Sequence, residues 1–179
     1  MNTINTLSRF ALITTLVMSM TSCKETKKEV VSTDATAPST TLSYIENYLK
    51  MKDALVADDG ATASTFAASF YTSLKEFDIS SFSDENQNEI TKTISMIAKH
   101  SSQINNTDIA TQREHFEALS VLMVDLVKIT GTGSKLYIQY CPMYKSGQGG
   151  SWLSANKEVK NPLFGSMMLN CGMVTDEIN

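Results

Sequence analysis

Between residues 42 and 130, apolar residues recur three and four positions apart in four separate runs. This spacing puts each run's apolar side chains on one face of a helix, and such faces must be buried against one another. The first run is Tyr44, Tyr48, Met51 and Leu55, with Ser43 and Glu46 at capping-box spacing ahead of it. Asp58-Asp59-Gly60 interrupts, and Ala63, Phe66, Ala67, Phe70, Leu74 and Phe77 form the second run. A polar break from Asp78 ends at Ser83, a residue suited to start a helix, and Ile90, Ile94, Ile97 and Ile104 follow. Asn105-Asn106-Thr107-Asp108 separates these from Phe116, Leu119, Leu122, Met123, Leu126 and Ile129, which stop at Gly131 and Gly133. Four such stripes with short connections predict an all-α domain, an antiparallel four-helix bundle over residues 42–134. No internal repeat is evident.

Beyond Lys135 the pattern changes. Leu136-Tyr-Ile-Gln-Tyr140 alternates and reads as a possible short strand. Glycines 147, 149, 150, 165 and 172 and prolines 142 and 162 make residues 135–179 loop-rich. Trp152, Leu153, Leu163, Phe164 and Leu169 nevertheless need burial, so this tail is expected to pack on the bundle, giving one globular domain over 42–179.

The N-terminus reads as an address. Residues 1–22 hold no acid, a single Arg9, and an apolar run from Phe10 to Met18, too short to span a membrane and suited to a signal peptide. Met20-Thr21-Ser22-Cys23 resembles a bacterial lipobox, which predicts cleavage before Cys23 and lipid on its thiol. The alternative is an ordinary signal peptide cut near Ser22. Residues 23–41 lack periodicity and read as the lipidated cysteine and a flexible tether. The expected location is the bacterial cell envelope, on the periplasmic side of a membrane or at the cell surface, with the membrane as a partner through the lipid anchor.

Composition removes several functions. With 42 % hydrophobic and 19 % charged residues the chain is not a disordered acidic tail, and a net charge of −4 argues against nucleic acid as a partner. Sulfur is distributed unevenly. Of three cysteines, Cys23 is assigned to lipid, while Cys141 and Cys171 lie in the tail together with Met143, Met167, Met168 and Met173. Thiolates and thioethers are soft donors that together favour Cu(I). An exported pair of cysteines also suits a disulfide, which for a loop of thirty residues contributes roughly 3–4 kcal/mol in the chain-entropy view. The residues by themselves leave ligand pair and disulfide open.

The runs Tyr137-Ile-Gln-Tyr-Cys141-Pro-Met143, Trp152-Leu-Ser154, Asn161-Pro-Leu-Phe-Gly165 and Met168-Leu-Asn-Cys171-Gly172 resemble the domain of unknown function 3347 family. The likeness extends back through Arg113-Glu-His-Phe116-Glu-Ala-Leu-Ser120 and Leu49-Lys-Met-Lys-Asp-Ala-Leu55, roughly residues 41–174 in all. Members occur as small exported proteins, mainly in Bacteroidetes-type bacteria, and as modules on periplasmic adaptor subunits of copper/silver-type efflux pumps. The resemblance implies an exported helical domain that handles Cu(I) or a similar soft ion, with an efflux adaptor as partner. Its motif positions map the ligands to Cys141, Met143, Met168 and Cys171. Met167 and Met173 fall outside the motifs, and Leu163 stands where an aromatic is usual.

The resulting expectation is a lipid-anchored soft-metal protein for sequestration or hand-off, without enzymatic activity. The alternative is a protein-interaction module with a structural Cys141–Cys171 disulfide. His100 and His115 are read as surface or satisfied core residues rather than ligands. Arg113, with Glu114 and Glu117, is read as a solvated helix face or as an ion pair with a neighbour, and Trp152 as core. No phosphate-binding loop, paired carboxylates or serine elbow is present.

Overall fold

The computed structural model describes residues 39–105 and 108–179. The expected signal peptide, the expected lipidation site Cys23 and all but the last residues of the expected tether lie outside the described residues. Four helices come first: α1 (Ser39–Val56), α2 (Gly60–Lys75), α3 (Asp84–Ile104) and α4 (Ile109–Thr130). Three strands follow, β1 (Leu136–Cys141), β2 (Gly150–Ser154) and β3 (Met173–Ile178). No helix among the described residues is long and apolar enough to cross a membrane.

The polar breaks act as helix starts. Asp59 accepts a hydrogen bond from the Thr62 amide at 2.9 Å, Ser83 accepts from Asn86, and Asp108 accepts from Ala110 and Thr111. Each satisfies amides that a first helical turn leaves without partners. Gly131, at φ 79°, ends α4 in a conformation that favours glycine. The Ser43 capping box is not used: α1 already runs from Ser39, so Ser43 lies inside the helix.

The four stripes are the core. Tyr44, Tyr48, Met51 and Leu55 of α1 meet Ala67, Phe70 and Leu74 of α2, Ile90, Ile97 and Ile104 of α3, and Phe116, Leu119 and Met123 of α4. Consecutive helices pack on one another, and α1 also touches α4. Phe66, Ile94, Leu122 and Ile129 sit at the margins of this cluster.

The all-α expectation is corrected in the tail. The anticipated strand over Leu136–Tyr140 exists, but it is the centre of a three-stranded antiparallel sheet of order β2-β1-β3. β2 packs on α4. Trp152 and Leu153 of β2 are fully buried, and the Leu153 amide donates to the Tyr48 hydroxyl at 3.0 Å. That hydroxyl also bonds Ser120 at 2.7 Å, so α1, α4 and β2 meet at one phenol. β3 evaded the sequence pattern because it is an edge strand whose Asp176 and Glu177 face water, which leaves no apolar alternation to read.

Candidate functional site

Cys141 is the last residue of β1, pairs across the sheet with Gly150, and is fully buried. Cys171 lies in the turn that precedes β3 and is partly exposed. Both are free thiols, and their sulfurs lie 3.0 Å apart although thirty residues separate them in the chain.

A frame built from the Asn161-Pro-Leu-Phe-Gly165 segment holds Cys171 in place. The buried Asn161 side chain donates to the Cys171 carbonyl at 2.8 Å and accepts from the amides of Leu163 and Phe164. Its backbone amide donates to Leu169, and its carbonyl accepts from Gly165. A single 3-10 turn over Gly165–Met168 then brings the Cys171 amide to the Met168 carbonyl at 3.0 Å. This is the turn geometry that a Met168-x-x-Cys171 pair requires to face one side. Gly172 sits at φ 147°, and a β-carbon there would come within 3.0 Å of the Tyr140 carbonyl and 3.1 Å of the Trp152 ring. Glycine beside Cys171 therefore follows from close approach of two backbones.

The thiol–thiol hydrogen bond to Cys141 pushes the Cys171 thiol up from its ordinary range, and burial and the neighbouring Cys141 add to this. The Met143 amide, aimed at the same sulfur, opposes the shift. The shift favours the protonated form of the Cys171 thiol, so an ion bound through this sulfur would have to displace its proton.

The tail methionines stand open to solvent. Met143 is 56 % exposed, Met167 73 %, Met168 36 % and Met173 53 %. Clustered exposed methionine side chains are uncommon on a folded surface. Met143 and Met167 line one groove with Tyr144, Leu163, Phe164 and Arg113. Met143 also begins a turn in which Lys145 and Ser146 take left-handed backbone angles of φ 45° and 55°. Such angles in non-glycine residues carry strain that neighbouring structure must hold. Among the described residues, no three His, Cys, Asp or Glu side chains converge on one point. An ion on the cysteine pair would therefore need donors other than a third His, Cys, Asp or Glu of the described residues.

His100 and His115 are partly exposed and face each other, Nδ1 to Nδ1, at 3.2 Å. Of the two readings of Arg113, the ion pair is observed and the solvated face is not. Its side chain is buried at 6 % exposure, donating from Nε to the Pro162 carbonyl and from Nη2 to the Leu55 carbonyl, both at 2.9 Å, and pairing with Asp58. Arg113 thereby ties the end of α1 and the Asn161–Gly165 frame to α4. A β-carbon on Gly165 (φ 58°) would run into this ion pair. Trp152 is core, as the sequence reading has it.

Asp58 makes the junction pH-sensitive. Hydrogen bonds from Ser166, then from Arg113, lower its carboxyl to about 2 from an ordinary 3.8. A carboxyl depressed in the folded state stabilises the fold above its unfolded pKa, and the contribution disappears as pH falls through the folded one. We expect the urea midpoint to fall between about pH 4 and pH 2, and Asp58→Asn to flatten that part of the profile. An unchanged slope in Asp58→Asn would show that this carboxyl is not the group responsible.

A family profile described as protein of unknown function (DUF3347) matches residues 44–135, which run from α1 to the start of β1 and include Arg113 and both histidines. The sulfur-bearing segment from Cys141 onward lies beyond the matched range. Neither a curated protein nor a solved structure matches the chain. With half of its length covered by the profile, the chain belongs to the DUF3347 family of proteins of unknown function.

Proposed function

We propose that this protein is an exported, lipid-anchored carrier of Cu(I) or a similarly soft ion, acting in sequestration or in hand-off to an efflux adaptor. In this reading, Cys141 and Cys171 are the primary donors and Met143 and Met168 supply thioether sulfur. The four helices form an antiparallel bundle that supports the site, and lipid on Cys23 holds it at a membrane. The observation that carries the proposal is the 3.0 Å approach of two free thiols in a tail that also exposes four methionines.

The donor set fits soft-ion chemistry, since thiolate with thioether selects Cu(I) over harder ions. Two thiolates on a four-coordinate ion bonded at about 2.3 Å lie about 3.8 Å apart, so the pair must open on binding. Cys171 is the member placed to move, because it is partly exposed and sits on a turn, whereas Cys141 is locked in the sheet. No catalytic step is needed for this role.

Titrating Cu(I) into the reduced full chain against a chromophoric chelator tests the proposal. One ion per chain is expected, with Cys141→Ser weakening binding by at least the ~10-fold that loss of even an outer-shell partner costs a metal site. Failure of the reduced protein to compete would overturn it. The complete burial of Cys141 favours a second reading, a structural Cys141–Cys171 disulfide in an interaction module. Counting thiols on protein taken from its native compartment separates the two, because the disulfide reading requires that none be free.

A further inference from the structure

We propose that His100 and His115 form a second metal site, distinct from the sulfur pair, that takes a borderline divalent ion, Cu2+ ahead of Zn2+, between α3 and α4. Nothing in this site depends on the cysteine pair, so it stands or falls separately.

Geometry carries the proposal. His100 lies one turn before the end of α3, and His115 lies in the second turn of α4; the two helices pack on each other across the 105–108 connection. The packing leaves both rings partly exposed, so an ion reaches them from solvent. The two Nδ1 atoms lie 3.2 Å apart, with ring centroids at 5.5 Å and planes inclined at 47°. Two imidazole nitrogens bonded to one ion at about 2.05 Å lie about 2.9 Å apart at a right angle and about 3.3 Å apart at the tetrahedral angle. The observed separation falls within this interval, so an ion bridges the pair without the helices having to separate. The sulfur pair, by contrast, has to open.

The chemistry agrees. Imidazole suits Cu2+, Zn2+ and Ni2+, and affinity rises to Cu2+ along the Irving–Williams order. In the metal-free state one Nδ1–H donates to the other Nδ1, because two protonated Nδ1 atoms cannot point at each other at hydrogen-bond distance. On binding, the donor ring carries its proton on Nε2 instead, both Nδ1 lone pairs go to the ion, and no net proton is released from a neutral pair. Burial and the neighbouring His115 hold His100 below its ordinary pKa, which favours the neutral, ligating form of that ring. Glu117, which bonds Lys145 at 3.1 Å, adds a negative field at His100 that favours a cation there.

The test uses the full chain carrying Cys23→Ser, Cys141→Ser and Cys171→Ser, so that thiolates do not compete. Cu2+ titration followed by electron paramagnetic resonance is expected to show one ion per chain with splitting from two ring nitrogens. Binding should weaken on acidification, because a protonated ring nitrogen cannot ligate. His100→Ala and His115→Ala are each expected to remove the two-nitrogen signature and weaken binding at least tenfold, by more than loss of an outer-shell partner. An unchanged signature in either variant, or no stoichiometric binding in the parent, would overturn the proposal. Should a variant fail to fold, 15N spectra of the histidine rings in the parent decide: Zn2+ must shift both Nδ1 resonances, and an unmoved pair counts against the site.

Discussion

Arg113→Ala should lower the free energy of unfolding by about 3–5 kcal/mol, because it removes two buried hydrogen bonds from a charged donor, each worth about 1.5–3 kcal/mol. The truncation leaves the Pro162 carbonyl without this donor, the Leu55 carbonyl with only the Asp58 amide, and the exposed Asp58 carboxylate without its cation. Arg113→Lys should recover less than half of the loss, because an ammonium lacks the planar fork that reaches three acceptors at fixed angles. At about 3 °C per kcal/mol for a domain of this size, the alanine variant should melt about 10 °C or more below wild type. A change of less than about 1 kcal/mol would restore the solvated-face reading of Arg113.

Trp152→Ala is expected to cost about 4 kcal/mol, as emptying a buried aromatic site does. Trp152 is fully buried, and its Nε1 donates to the Gln139 side chain at 2.8 Å. Gln139 in turn donates to the carbonyls of Asn156, Lys157 and Glu158, so the loss reaches the loop after β2. Trp152→Phe should cost about half as much, because it restores apolar volume but leaves the buried Gln139 oxygen without a donor. The Trp152 ring also abuts Gly172. Truncation should therefore loosen Cys171 and speed its reaction with a thiol reagent, while Trp152→Phe leaves that rate near wild type. Because Trp152 is the sole tryptophan, unfolding is followed by circular dichroism. A stable Trp152→Ala protein with unaltered thiol reactivity would separate β2 from the support of the cysteine site.

The helices were legible because their determinants are local. A stripe such as Tyr44, Tyr48, Met51, Leu55 specifies its own period and buried face, and Asp59, Ser83 and Asp108 mark starts through bonds to amides two or three residues away. β1 was legible as an alternating run, although its burial does not alternate: Leu136, Gln139 and Cys141 are the buried positions, and the register shifts between Ile138 and Gln139. β2 and β3 were less so. β2 is only five residues long and begins at a glycine, and β3 is polar on an exposed edge. The charge on Arg113 pointed to solvent, and only the meeting of α1, α4 and the Pro162 segment supplied the acceptors that allow a guanidinium to be buried.

From sequence alone followed the helical stripes and their starts, the central strand, and the gathering of soft donors into one tail, since each depends on residue type and short-range spacing. Tertiary structure decided what those donors face. Cys141 meets Cys171 across thirty residues, and His100 of α3 meets His115 of α4. A contact of that kind is set by the packing of whole elements, a sum over many buried side chains that no local pattern encodes.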